Sequence, residues 1–423
     1  MAEPHHFRVL EFYSGIGGMH YAFHGSGHQG EILKAFDINT TANEVYAHNH
    51  GKRKLAQRNI EAVPMEFYDK QQADVWLMSP PCQPYTRTGN QEGSKDTRAK
   101  SFLYLMDILP KMTHPPNYIL LENVKGFEES DSRDLLVQTL LDSGYEFQEM
   151  LITPLQIGIP NSRMRYYCLA RKTEKVGSFV HPVTGTLIGY IPSLDAQNQE
   201  DTDGEGGELK DFGSRGDEGD SGKKPDEDMI LSDPMLALKV EVLEKYIEFM
   251  DMEDERMRRY MIPDKTLLKY GRLFDIVKGT TRRSCCFTKG YYHFVESTGS
   301  ILQMVTEKDT AVIFDEAEAL KAKAQTNALD LDDENNTKAL ALLRTLGLRY
   351  FTENEVAHLM GFPITEGKFS FPATTSLKQR YRVLGNSINV KVVSQLIQYL
   401  LTCSPKQSPS EEEKVDHNVN VLY

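Results

Sequence analysis

A thiol, a carboxylate and two guanidiniums occur along the chain in segments suited to holding side chains still. Cys82 lies in Ser79-Pro80-Pro81-Cys82-Gln83-Pro84-Tyr85, directly after the apolar run Val75-Trp76-Leu77-Met78. Two prolines stiffen the backbone there, and a positioned thiolate is a strong nucleophile at neutral pH. Glu122, in Glu122-Asn123-Val124, closes another apolar run and puts an acid on the same rim. Arg163 and Arg165 follow in Ile159-Pro160-Asn161-Ser162-Arg163-Met164-Arg165-Tyr166. Residues two apart share a strand face, so both guanidiniums are expected to reach one pocket. Alone, Cys82 reads as a small buried hydrophobe. With an acid and paired cations beside it, the set reads as nucleophilic catalysis assisted by acid–base transfer.

A second constellation points to a ligand. Ser14-Gly15-Ile16-Gly17-Gly18 follows the apolar segment Phe7-Arg8-Val9-Leu10-Glu11-Phe12, and such a turn lets backbone N–H groups approach a bound molecule. It lacks the Lys-Ser/Thr pair of a P-loop and departs from G-x-G-x-x-G. Asp37, 22 residues after Gly15, stands where an acid takes ribose hydroxyls. Together they suit a nucleoside-bearing cofactor; the competing reading is a packing turn with a helix-capping Asp.

These residues need a frame. Strands are expected at 7–12, 32–38, 75–78 and 118–121, and helices at 19–25, 40–49, 101–111 and 134–143. Strand and helix in turn predict an α/β fold, a doubly wound, mostly parallel sheet covered on both faces.

Composition sets the bounds. The 423 residues carry 48 Lys or Arg and 61 Asp or Glu, a net of −13, with 40% hydrophobic and 26% charged residues. No run approaches the roughly 18–20 apolar residues of a membrane span, and the start lacks the pattern of a secretory signal. Five cysteines in so long a chain suit a reducing compartment. Residues 195–228 hold thirteen acidic and four basic side chains, which predicts a disordered insert. The stretch after Ser404 is expected to be a loose tail, and residues 328–338 a third loose stretch. Between 256 and 293 the bias reverses to +8, through Arg256, Arg258, Arg259, Lys265, Lys269, Arg272, Lys278, Arg282, Arg283 and Lys289 against Asp264 and Asp275. Tyr260, Tyr270, Tyr291 and Tyr292 are interleaved, as in a nucleic-acid footprint. The alternative is a solvated face paired with acids elsewhere. Adjacent Cys285 and Cys286 lack zinc-ligand spacing, so no metal is expected.

The glycine turn, Pro80-Pro81-Cys82-Gln83, Glu122-Asn123-Val124, Arg163-x-Arg165 and the late Gln379-Arg380-Tyr381-Arg382-Val383-Leu384-Gly385-Asn386-Ser387 resemble, in order and spacing, the motifs of the cytosine-5 methyltransferase family. Within it the chain is similar to the eukaryotic branch that methylates tRNA-aspartate. The residues that carry this are Asn161-Ser162, Ser284-Cys285-Cys286-Phe287-Thr288-Lys289-Gly290, Arg349-Tyr350-Phe351-Thr352 and Leu359-Met360-Gly361-Phe362-Pro363. The resemblance implies S-adenosyl-L-methionine as cofactor and the methyltransferase type of Rossmann-like sheet. It implies a catalytic part at 1–172 and 349–403 and a small target-recognition region at 173–348, followed by the tail 404–423. By the same mapping Ser14, Gly15, Ile16, Gly17 and Gly18 cradle the methionine part, Asp37 takes the ribose, and Ile60 and Glu61 flank the adenine with Ser79 nearby. Asn386 and Ser387 complete the pocket. Cys82 would attack C6 of cytosine, Glu122 would hold or protonate N3, and Arg163 and Arg165 would hold the base oxygen, a phosphate or Glu122.

The resemblance implies a tRNA cytosine as substrate, in the anticodon loop of tRNA-aspartate, and the cost of unstacking independently favours RNA, since a base leaves its stack at least cost in a loop or single strand. A DNA cytosine-5 methyltransferase is the alternative, weak DNA binding is allowed, and a non-catalytic nucleic-acid-binding protein is the alternative of another class. Without the resemblance, a nucleotide-dependent oxidoreductase would explain Asp37 and leave Cys82 without a task. No membrane partner is expected, a monomer is the expectation, and location is cytoplasmic, nuclear or both.

Overall fold

The computed structural model describes residues 5–81, 100–181, 187–192, 234–248, 254–294, 296–324 and 331–402. The first half runs β1 (Phe7–Phe12), α1 (Gly18–Gly25), β2 (Gly30–Phe36), α2 (Thr40–His50), β3 (Leu55–Ala56), α3 (Met65–Gln71), β4 (Val75–Met78) and α4 (Lys100–Ile108). It continues through β5 (Tyr118–Val124), α5 (Asp131–Asp142), β6 (Tyr145–Ile152), β7 (Arg165–Lys172), α6 (Thr173–Val176) and β8 (Leu187–Ile188). Then come α7 (Pro234–Lys239), α8 (Glu255–Arg258), α9 (Asp264–Tyr270), β9 (Ile276–Val277), β10 (Ile301–Gln303), α10 (Thr310–Lys321) and α11 (Glu334–Arg344). The chain closes with β11 (Leu348–Tyr350), α12 (Glu353–Leu359), α13 (Leu377–Gly385) and α14 (Val390–Leu401).

Eight strands form one sheet in the order β3-β2-β1-β4-β5-β7-β6-β8. The first five are parallel, and β7 inserts antiparallel to both β5 and β6. Side chains alternate across this sheet, as a period of two demands. Val9, Val75 and Leu77 enter one core, with Met19 and Phe23 of α1 and Val393 and Leu396 of α14. Leu10, Phe12, Trp76 and Met78 enter the other, with Phe102 of α4 and Leu136 of α5. Burial on both faces is why these strands read as continuous apolar runs.

The expected doubly wound sheet is therefore present. Its helix α5 begins at Asp131 rather than 134, because Ser130 caps it by accepting the Arg133 N–H at 3.2 Å. Helix α4 stops at Ile108 and passes into a 3-10 turn around Pro110. Arg163 lies outside β7, which starts at Arg165, so the expectation that both arginines share a strand face is corrected. The ladder ends because Asn161 and Ser162 turn away: the Ser162 N–H donates to the Ser284 carbonyl at 2.8 Å.

A second sheet joins β9, β10 and β11, with β10 parallel to β9 and antiparallel to β11. Helices α10 and α11 pack beside it, and its residues belong to the first core. The expected boundary after 348 falls inside β11. Arg349 and Glu355 form a fully buried bidentate pair, both bonds at 2.7 Å, that ties β11 to α12. Residues 195–228 and 404–423 lie outside the described residues. The stretch 328–338, expected loose, is from residue 331 onward the entry to α11. Asp333 caps this helix, accepting the N–H groups of Asn335 and Asn336 at 2.8 and 3.3 Å, which gives the acidic run a structural task.

Candidate active site and cofactor cradle

The carboxyl ends of β1, β2, β4 and β5 meet on one rim, the usual crevice of a parallel α/β sheet. At β1, Gly15 and Gly17 adopt φ of +52° and +87°, a region that favours glycine. A Cβ on Gly17 would also lie 2.5 Å from Nε2 of His50. The Ser14 hydroxyl is buried in the turn without a hydrogen-bond partner among the described residues. At β2, both oxygens of Asp37 accept backbone N–H groups, from Gly15 at 2.8 Å and Asn39 at 2.7 Å. Burial pushes the Asp37 carboxyl above its ordinary value, against these hydrogen bonds. Ser79, at the end of β4, donates to the Tyr13 carbonyl at 3.2 Å. Ile60 is buried in the second core and Glu61 is exposed.

The last motif returns to this rim. A Cβ on Gly18 would meet Ile388 at 2.6 Å and the Ser387 hydroxyl at 3.2 Å, so the segment after α13 closes on the glycine turn. Asn386 is exposed beside it. An unpartnered buried hydroxyl, a backbone-held acid and a glycine cradle fit a cofactor with an amino-acid end and a ribose.

Cys82 lies outside the described residues. The chain before it is fixed: the Asn123 amide donates to the Pro80 carbonyl at 3.4 Å. Glu122 is buried, and Arg165 Nε stands 3.5 Å from its Oε1. Burial raises the Glu122 pKa, and the attraction of Arg165 and Arg163 only partly offsets it. Arg163 is also buried and makes a different set of contacts. Its Nη1 donates to Cys286 Sγ at 3.2 Å and the Phe287 carbonyl at 3.4 Å, and its Nη2 donates to the carbonyls of Gly385 and Ser387. Arg165 Nη2 lies 3.9 Å from the same sulfur. Burial pushes the Cys286 thiol up, and the two guanidiniums outweigh it, leaving the thiol below its ordinary value.

Asn161 fixes this arrangement by donating to the Ser284 hydroxyl and the Cys285 carbonyl, both at 3.1 Å. Two motifs quoted separately from the sequence are thus docking partners. The family resemblance implies that the Cys286-Phe287-Thr288 element lies near the active site, with a packing or RNA-positioning role; that Cys286 contacts both arginines has no signal in the spacing. Ile38 was also missed. It is 65% exposed directly after Asp37, an apolar surface beside the cradle, and its signal was that position at a strand end. Glu11 was missed as well, a charge inside an apolar strand. It is fully buried and accepts from the His20 N–H and the Tyr46 hydroxyl, each at 3.3 Å.

The basic stretch divides. Arg256 pairs with Asp254, Arg272 with Asp315 and Arg283 with Asp275, while Arg282 donates to the Val240 carbonyl. Arg258, Lys265, Lys269 and Lys289 are exposed with no carboxylate in ion-pair range among the described residues, and Arg259 donates to the Tyr260 hydroxyl at 2.8 Å. Tyr260 and Tyr291 are core residues, so half of the interleaved aromatics are explained by packing.

The fold is that of the Rossmann-like methyltransferases, with an acid and two arginines at the rim of its sheet. The chain belongs to the C-5 cytosine-specific DNA methylase family, whose description matches residues 7–402. It is 40% identical over 412 residues to the human tRNA (cytosine(38)-C(5))-methyltransferase, covering 93% of this chain and 98% of that one. It is 36% identical over 408 residues to a Dictyostelium discoideum DNA (cytosine-5)-methyltransferase, covering 96% and 95%. The crystal structure of a Spodoptera frugiperda DNMT2 mutant superposes with a TM-score of 0.69 at 36% identity, covering 94% of this chain and all of that one.

Proposed function

We propose that this chain transfers a methyl group to C5 of a cytosine in tRNA, in the anticodon loop of tRNA-aspartate. The observation that carries the chemistry is the buried Glu122 paired with Arg165, which together with Arg163 also holds the Cys286 sulfur, on the rim reached by Pro80-Pro81. The printed names of the tRNA-methylating relatives support the substrate. The exposed cations at Arg258, Lys265, Lys269 and Lys289 suit a phosphate backbone. We read the region around β9–β11 as the part that receives the RNA.

In this reading Ser14 to Gly18 and Asp37 hold S-adenosyl-L-methionine, with Ser79, Ile60, Glu61, Asn386 and Ser387 around it. When bound, the cofactor supplies the electrophilic methyl group that C5 takes. Cytosine C5 is a poor nucleophile by itself. The Cys82 thiolate adds to C6, forming a carbon–sulfur bond and breaking the C5–C6 π bond, whose electrons move into the C5–C4–N3 system and make C5 an enamine-type nucleophile. Glu122, kept protonated to higher pH by burial, delivers its proton to N3 as negative charge develops there. Arg165 orients Glu122, and Arg163 fastens the Cys286 segment to the cofactor loop. Solvent then takes the C5 proton, the electrons of that bond expel Cys82 as thiolate, and N3 returns its proton to Glu122.

A second reading, methylation of DNA, is favoured by the printed name of the Dictyostelium relative. Labelled S-adenosyl-L-methionine, total tRNA, duplex DNA and a Cys82→Ala control separate the two. Label in tRNA that vanishes in the control is the expected result. Label in DNA alone overturns the substrate, and no label in either overturns the activity.

A further inference from the structure

An open cavity of about 460 Å³ is lined by Arg258, Arg259, Asp264, Tyr292, His293 and Tyr350, among others. Asp264 is engaged by Arg344 through bonds of 3.1 and 2.5 Å, so the two arginines leave the cavity positive. Arg259 is held in place over the Tyr260 ring, 4.9 Å from its centroid.

His293 belongs to a tongue, residues 287–294 and 296–298, rooted in the catalytic cluster. Arg163 donates to its first carbonyl, at Phe287, and the Thr288 N–H donates to the Thr298 carbonyl at 2.9 Å. A Cβ on Gly385 would lie 2.1 Å from the Lys289 nitrogen, so the tongue is pressed against α13. Within it Tyr292 and Ser297 adopt φ of +69° and +56°. A tyrosine there is strained, and such strain persists where the surroundings over-determine it. The Tyr292 ring stacks on Tyr381 at 5.4 Å, and its hydroxyl donates to the Arg259 carbonyl at 3.0 Å.

The consequence of this fixing is an outward-facing aromatic. Phe294 is 62% exposed, its backbone held by Gly290 and Thr298, and its ring 4.7 Å from that of His293. His293 links this ring to the cavity that it lines with Arg258 and Arg259, and an exposed ring next to a cationic cavity is the combination that binds single-stranded nucleic acid, base on ring and phosphate on cation. We propose that Phe294, with Arg258 and Arg259, forms a stacking subsite for one unpaired nucleotide of the RNA outside the catalytic pocket. This rests on the RNA reading above.

The test compares the full chain with its Phe294→Ala and Phe294→Trp variants. The probes are a synthetic RNA hairpin with an unpaired, cytosine-containing loop and a fully paired RNA duplex of equal length. Anisotropy titration is expected to show hairpin affinity reduced about ten-fold in Phe294→Ala, restored in Phe294→Trp, with duplex binding and melting temperature unchanged. Arg258→Ala is expected to lower the salt slope of hairpin binding by about one. Hairpin affinity unchanged in Phe294→Ala, or an equal loss on the duplex, overturns the subsite while hairpin methylation by the wild type keeps the RNA reading. A wild-type chain that neither binds nor methylates the hairpin overturns both.

Discussion

Arg163 and Ser387, 224 residues apart in the chain, are joined directly: the guanidinium Nη2 donates to the Ser387 carbonyl. The other arm of the same fork holds Cys286 and Phe287. One side chain thus fastens the segment beside Glu122 to the loop that closes on the glycine turn.

Lysine carries a single ammonium and cannot reproduce that fork. Arg163→Lys is expected to lose at least about a hundred-fold in methyl transfer and to lower the thermal midpoint by roughly 5 °C. Single-turnover labelling and a melting curve check both. A variant with unchanged turnover would show that the fork does not position the site.

Glu122 is buried and its pKa raised, so its protonated form persists to higher pH than an ordinary carboxyl. If proton delivery to N3 limits the rate, kcat/KM falls as pH rises through that value. Glu122→Gln should lose about a hundred-fold or more and flatten that alkaline limb. A pH–rate profile of both proteins, with the limb persisting in the variant, would count against the assignment.

Asp37 holds the glycine turn through Gly15 and the start of α2 through Asn39. Asp37→Ala removes both acceptors along with the carboxylate that faces the cradle. Cofactor affinity, read by calorimetry with S-adenosyl-L-methionine, should fall by about ten- to a hundred-fold. RNA affinity should not change, and parallel losses in both would point to general unfolding instead.

Burial pushes Glu11 up to about 8, against the His20 N–H and the Tyr46 hydroxyl, with Asp37 adding to the rise. The folded chain therefore holds a proton that the unfolded chain releases near pH 4.5. Between these values the native state binds more protons, so this group's contribution to stability declines as pH rises. Glu11→Gln carries no such proton, and its melting temperature should gain on the wild type across that window. Parallel melting curves at every pH would contradict the assignment.

Arg349 and Glu355 are both fully buried, so removing one partner strands the other. Arg349→Ala is expected to cost about 3–5 kcal/mol, measured by denaturant unfolding. A loss below about 1 kcal/mol would mean that the pair behaves like a surface salt bridge.

The strands were legible because burial on both faces writes itself as short apolar runs, and β1 and β4 fall where those runs lie. The cradle was legible because Gly15, Gly17 and Asp37 each carry a local backbone or charge signature. Arg163 was legible as a residue and not as a contact. Its partners come from two distant segments, and no spacing along the chain records that Cys286 and Ser387 share one guanidinium. The tyrosines of the basic stretch misled for the same reason: Tyr260 and Tyr291 look interleaved in one dimension and are core in three. The acidic run before α11 misled because one carboxylate, Asp333, is a cap whose effect exceeds that of the run's composition.

Helix α14, which ends at Leu401, packs against α1, and its apolar face fills the core beneath β5 and β7. A chain emerging from the ribosome has therefore built most of its large sheet long before the helix that covers one face exists. Until the last turns are synthesised, Phe23 and Leu120 lack their covering, and the nascent protein presents an oily surface for the intervening translation time. Premature stop codons upstream of α14 should thus yield chains that chaperones retain, rather than shortened but active enzymes.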